Sequence, residues 1–141
     1  MSFDLYSEIF EQFEEATSRK EKIDVLREHG DARFRDFLRY AFDPKIEFDV
    51  EVPQYKPSIS PAGLNECYLH QEMPKLYRFI KDDPRRTPGL SGKKQQNLLI
   101  AILEGLHKDE ADLLCRLINK KLDIKFLTEN LVREAFPDIQ L

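Results

Sequence analysis

Tryptophan is absent from this chain, cysteine occurs twice, and glycine only five times in 141 residues. Each scarcity removes a class of explanation. Cys67 and Cys115 stand alone, with no Cys-x-x-Cys pair and no disulfide framework. Both therefore read as buried or half-buried thiols of a reducing compartment. No apolar run approaches the roughly 20 residues that a membrane-crossing helix requires. The opening MSFDLYSEIFEQFEEATSRK has neither the basic head nor the continuous apolar core of a signal peptide. The expectation is a cytoplasmic protein with no membrane partner. Sparse glycine also leaves no complete phosphate loop. Gly89-Leu90-Ser91-Gly92-Lys93 falls short of the Gly-x-x-x-x-Gly-Lys-Ser/Thr pattern, and no βαβ unit surrounds it.

What is there is apolar, aromatic and helical in spacing. Hydrophobic residues make up 41% of the chain, with ten Phe and five Tyr, enough for one phenylalanine-rich core. A length of 141 residues suits a single domain spanning 1–141. Phe3, Tyr6, Phe10 and Phe13 recur near helical spacing and predict a first helix over 3–15. Ser18 and Glu21 form a capping box for a second, which stops at Gly30. A third runs from Ala32 to Phe42 and ends before Pro44.

Residues 44–73 read as a long irregular crossover. Ile46, Phe48, Val50 and Val52 alternate, but Pro53, Pro57 and Pro61 follow, so this is extended chain or an edge strand. Pro74 suits the first turn of a fourth helix through Ile80. Ser91 can cap a fifth, from Gly92 or Lys93 to about Gly105. A sixth starts near Lys108, and Thr128 can cap a seventh that ends at Pro137. The predicted fold is all-α: a compact bundle of six or seven helices.

The formal net charge is -4, but the sign varies along the chain. Residues 1–50 hold 8 basic and 13 acidic side chains, residues 51–100 hold 8 and 5, and residues 101–141 hold 6 and 8. Net acidity argues against strong non-specific nucleic-acid binding without excluding one basic face. Two basic clusters are candidates. In RRTPGLSGKKQQ, Arg85 and Arg86 precede Ser91, Gly92, Lys93 and Lys94, where a helix start can face an anion. Lysines at a helix N-terminus oppose the dipole, which hints at another use for them. The second cluster is Lys120, Lys121 and Lys125, in the turn between two short apolar helices. Each reads either as a solvated surface or as a phosphate contact; together they suit salt-sensitive, sequence-tolerant backbone binding.

Catalytic and metal-ligating patterns are missing. His29, His70 and His107 are far apart and none has ligand spacing with another histidine or a cysteine. Cys67 with a histidine lacks a nameable third group for nucleophilic catalysis. Glu11, Glu14 and Glu15 form an acidic helix face, read as solvated or as a surface for a partner. The expectation is a non-enzyme with no cofactor and no metal.

The strings FEEATSRKEKIDVLREHGDARFRDFLRYAFDP, RRTPGLSGKKQQNLLIAIL and, most sharply, ADLLCRLINKKLDIKFLTENLVREAFP carry a resemblance. They resemble the N-terminal helical DNA-binding domain of ATP-dependent DNA ligases, most closely those of T4-like bacteriophages. The resemblance implies a domain that grips duplex DNA across the minor groove through phosphates and helix ends. It places Gly92 and Lys93 near the backbone, Lys120, Lys121, Asp123 and Ile124 in the DNA-facing turn, and Thr128 at the start of the last helix. Lys125 stands where the ligase pattern favours glycine. No Lys-x-Asp-Gly nucleotidyl-acceptor motif occurs, so the catalytic half of a ligase is not expected. The implied role is a stand-alone accessory protein of phage DNA replication, repair or recombination, working in the host cytoplasm on double-stranded DNA. The alternative is a protein-interaction module of the same descent, binding a replication component or a host protein.

Overall fold

Tyr6, Ile9, Phe10 and Phe13 fall on one face of helix α1 (Tyr6–Glu15), and all four are buried. This computed structural model describes residues 5–87, 89–90 and 92–141. The expected helical position of Phe3 and the expected cap and anion contact at Ser91 lie outside the described residues. The protein is all-helical. Six more α-helices follow among the described residues: α2 (Arg19–Glu28), α3 (Ala32–Phe42), α4 (Leu69–Glu72), α5 (Gly92–Gly105), α6 (Lys108–Ile118) and α7 (Glu129–Ala135). A 3₁₀ segment, Met73–Phe79, continues α4.

The helix starts follow the side chains that cap them. Ser18 accepts from the Glu21 N–H at 3.1 Å, and Asp31 accepts from the Phe34 N–H at 2.9 Å. Thr128 accepts from the Leu131 N–H at 3.2 Å. Glu21 reaches back one residue further than a capping box predicts, to the N–H and hydroxyl of Thr17. Helix α2 ends at Glu28, and Gly30 follows where a later part of the chain passes closely. A Cβ there would lie 2.5 Å from the Phe136 ring, whose helix α7 packs on α2.

One expectation needs correction between α3 and α5, and one is narrowed. The helix expected from Pro74 to Ile80 is instead α4 followed by 3₁₀ turns. Pro74 supplies no N–H and crowds the preceding turn, which disfavours a continuous α-helix there. Ile80 leaves the helix to make an isolated antiparallel bridge with Phe48. The alternating segment 46–52 is accordingly extended chain with a single bridge. The alternation itself holds: Val50 is buried and Ile46, Phe48 and Val52 pack against the core.

The core lies where α1 meets α2 and α6, α6 meets α4 and α5, and α3 meets the 3₁₀ segment. Tyr6 stacks edge-on against Phe34 and Phe37, with centroids 5.2 and 5.3 Å away, joining α1 to α3. Glu110, only 1% exposed, is a polar tie inside this core. Its two carboxylate oxygens accept from the N–H groups of Tyr6 at 2.8 Å and Leu69 at 3.0 Å, at the starts of α1 and α4.

Candidate nucleic-acid interface

Helix α6 ends in a way that explains much of the basic turn after it. The Lys120 N–H bonds the Leu117 carbonyl at 3.0 Å and the Lys121 N–H bonds the Arg116 carbonyl at 3.0 Å. This paired closure puts Lys120 in the left-handed position usually given to glycine, with φ at 56°. Asp123 and Phe126 follow with φ at 52° and 71°. Three non-glycine residues in this region within seven positions make a strained joint, each costing on the order of 1–3 kcal/mol. Lys125 is not among the positive-φ residues; the turn places that conformation at Phe126.

The candidate lysines divide by where their ammonium groups go. Lys120 turns inward and donates to the carbonyls of Tyr40 and, at 2.9 Å, Asp43, closing the C-terminal end of α3. Burial pushes its ammonium pKa down, while Asp43 and Glu47 act the other way. Lys121 and Lys125 remain exposed. Among the described residues neither forms an ion pair, and Lys125 Nζ lies 5.1 Å from the centroid of the Phe126 ring. The Thr128 hydroxyl already caps α7, although the residue is exposed.

The arginines are similarly unequal. Arg86, with its side chain 14% exposed, donates to Asp49 at 2.6 Å and to the carbonyls of Ile80 and Leu90. It is a strut holding the 80–90 loop to the crossover. Arg85 grips Asp83 through two bonds of 3.0 and 2.8 Å and lies over the Tyr77 ring at 4.7 Å. That Asp83 pairing holds the guanidinium pKa above its ordinary value, and the Tyr40 hydroxyl contributes in the same direction.

At the start of α5, Gly92 has φ at 59° and nothing within 4 Å of where a Cβ would stand. Lys93 and Lys94 are exposed, with no ion pair among the described residues. Gln95 behind them is buried and bonds Asp49 and the Arg78 carbonyl, both at 3.1 Å. One segment therefore anchors both clusters: Asp43 receives Lys120, and Asp49 receives Gln95. Six residue steps of chain separate those anchors, at most about 20 Å when fully extended. The surface between is not uniformly basic. Asp43, Glu47 and Asp49 lie on that same segment, and Lys81 approaches Glu47 at 3.9 Å.

Two neighbouring depressions border the turn. One, of about 640 Å³, lies between the end of α3 and residues 120–127, lined by Ala41, Phe42, Arg116, Lys121, Ile124 and Leu127 among others. The second, about 410 Å³, runs between α1 and α6 with Glu8, Glu11 and Glu14 on one side and Asp109 and Asp112 on the other. The sequence marks Glu11 and Glu14 as acidic surface; the facing carboxylates of α6 follow only from the packing.

Sequence reasoning missed two residues here. Lys22 is 7% exposed and donates to the carbonyls of Phe13 and Glu14, closing α1 as Lys120 closes α3. Its ammonium lies 4.7 Å from the Phe126 ring centroid. Phe126 itself is 55% exposed. A phenylalanine beside Lys125 in a turn was the available signal.

The histidines stay apart. His29 closes α2 and contacts Gln12, His70 bonds Asp31 at 2.7 Å, and His107 caps α6 by accepting from the Asp109 N–H at 3.2 Å. Cys67 packs under Gly105, and Cys115 faces the Tyr55 hydroxyl at 4.0 Å. Among the described residues no group of three His, Cys, Asp or Glu side chains is arranged to hold a metal ion, and no helix is long and apolar enough to cross a membrane.

Among known proteins, a model described as a family of unknown function matches residues 9–124, most of the chain. No curated protein and no solved structure matches it.

Proposed function

The chain belongs to DUF6433, a family of unknown function, and we propose that it is a non-enzymatic module contacting the phosphate backbone of duplex DNA. Gly92, Lys93 and Lys94 at the start of α5 and Lys121 and Lys125 in the α6–α7 turn form the contact surface. The observation that carries the reading is a division of labour among the cations. Lys22, Lys120 and Arg86 are engaged by internal acceptors, whereas Lys93, Lys94, Lys121 and Lys125 are exposed without an acidic partner among the described residues. Long charged side chains left free at helix ends suit phosphates, which bind charge without demanding base-specific geometry. Arg85 joins only by exchanging Asp83 for a phosphate. The resemblance to ligase DNA-binding domains supports the same ligand and a place in phage DNA replication, repair or recombination.

The test is duplex and nicked-DNA binding over a salt series, with Lys93, Lys94, Lys121 and Lys125 replaced together by Met. Each lost phosphate contact lowers the logarithmic salt slope by about 1. An unchanged affinity and slope in the fourfold variant would overturn the surface.

One observation favours a second reading, a protein-interaction module. Carboxylate rows on α1 and α6 face each other across a groove floored by Leu5, Phe10, Leu113 and Ile124. Of these acids, Asp112 has an internal cation, Arg116 at 3.0 Å. A cationic segment of a replication component or host protein would relieve that repulsion. Absence of duplex binding by the unaltered protein, with capture of such a partner lost on replacing Glu11 and Asp112, selects this reading.

A further inference from the structure

Phosphate contact by lysines leaves Phe126 unexplained. It is 55% exposed, whereas the other described phenylalanines are buried or half-buried. Its backbone is held at φ 71°, a conformation that aromatic residues rarely adopt. The ring lies outside the apolar core, and its packing contact is a cover over the Lys22 ammonium. Two ammonium groups lie near the ring, Lys22 at 4.7 Å and Lys125 at 5.1 Å from its centroid. The first is fixed by the carbonyls of Phe13 and Glu14; the second stands on the exposed turn. The phenyl is thus an apolar plate in the turn that carries the proposed phosphate contacts, with Lys125 beside it.

Resting on the phosphate-contact reading, we propose that Phe126 is a stacking platform for an unpaired base, so that the protein selects DNA with an exposed base over intact duplex. A base within a duplex already has both faces covered by its neighbours. An unpaired base at a gap or flap has a free face, and every base offers one, so stacking on a phenyl ring discriminates by pairing state and not by sequence. The lysines hold the adjoining phosphates, and Lys125, which lies over the ring in the free protein, swings to a phosphate and bares that face for the base. The strained turn keeps the ring outside the core, where a base can reach it.

The ring also shields the Lys22 ammonium, so the variants must separate cover from stacking. Phe126→Leu keeps apolar bulk but removes the aromatic face, and Phe126→Trp enlarges that face. Affinities are measured for an intact duplex and for the same duplex with a one-nucleotide gap exposing a template base, with melting temperatures recorded alongside. The leucine variant is expected to lose about tenfold on gapped DNA, within the range of one base–aromatic stack, while keeping its intact-duplex affinity and salt slope. The tryptophan variant should regain gapped-DNA binding. With 5-iodouracil at the unpaired position, irradiation should cross-link the unaltered protein at Phe126.

A leucine variant that binds both DNAs as the unaltered protein does, or loses equally on both, overturns the inference. So does a cross-link confined to other residues. Lysine-dependent binding with no effect of Phe126 overturns this inference alone, whereas an unaltered protein that binds neither DNA removes the phosphate reading with it.

Discussion

The ammonium of Lys120 donates to the carbonyl of Tyr40, tying the end of α6 to the last turn of α3 across 80 residues of sequence. Its backbone closes one helix while its side chain closes another, which is why lysine occupies a left-handed position where glycine would be less strained. Lys121, next in the chain, shares the backbone closure of α6, but its side chain closes no helix. Replacing Lys120 by Met should therefore cost about 1.5–3 kcal/mol, the range for hydrogen bonds to a charged group, and leave the DNA salt slope nearly unchanged. Lys121→Met should do the reverse: stability within about 0.5 kcal/mol and a slope lowered by about 1. Urea titration and salt-dependent binding of the two variants check the pair.

Arg85 and Arg86 invite the same separation. Arg86 joins three points of chain through Asp49, Ile80 and Leu90, in a largely buried setting. Arg85 pairs with its near neighbour Asp83 at the surface. Arg86→Ala is expected to destabilise by about 2–3 kcal/mol, because it removes charge-assisted bonds to Asp49 and to two part-buried carbonyls at once. Arg85→Ala should cost less, about 1–2 kcal/mol, because the Asp83 side chain, 9% exposed, keeps the residue-85 N–H as a partner when the guanidinium is gone. Thermal or denaturant unfolding of both proteins gives the ranking directly.

Asp49 makes that strut sensitive to acid. Burial pushes its carboxyl pKa upward, but hydrogen bonds from Arg86 and Gln95 outweigh this and hold it below the ordinary carboxylate value. A depressed carboxyl contributes stability that is present above the unfolded-state pKa and lost as pH falls through the folded one. Stability should accordingly drop as the solution is acidified through and below the ordinary carboxylate range. Asp49→Asn should be less stable than the parent near neutrality, with the gap narrowing at acid pH. Unfolding free energies at a series of pH values report the slope.

Much of this architecture is local and so was legible in the residues. Ser18, Asp31 and Thr128 precede runs with helical spacing, and the caps they make depend on neighbours three positions away. Phe34, Phe37 and Leu38 announce a buried face by spacing alone. The segment from Leu69 to Ile80 resisted because Pro74 serves equally as a first-turn residue of an α-helix or inside tighter turns, and packing decides. The candidate site was legible in residue type and not in direction. Nothing near Lys120 or Lys22 in sequence says that each meets the open carbonyls of another helix, the preceding one for Lys22. Lys120 reaches residues 77 and 80 positions away. Phe126 was hidden for the opposite reason, since a lone phenylalanine reads as core until the fold leaves it outside.

Glu110 offers the sharpest test of how the bundle is held. Its carboxylate is the common acceptor for the first N–H groups of two helices, one beginning at Tyr6 and one at Leu69, while it sits in the first turn of α6. Burial pushes the carboxyl pKa up, and the two backbone N–H bonds oppose that rise. Glutamine fills the same space but presents one acceptor oxygen and one amide donor, so one of the two N–H groups must face another donor. Glu110→Gln should lose about 1–3 kcal/mol for the orphaned group. Glu110→Ala should lose more, adding a cavity to two unpaired donors. Hydrogen exchange should localise the damage: faster exchange at the Tyr6 and Leu69 amides of the glutamine variant, with α7 amides unaffected below the global unfolding limit. Uniform acceleration across all helices would instead mean that Glu110 contributes to overall stability without tying these two helix starts.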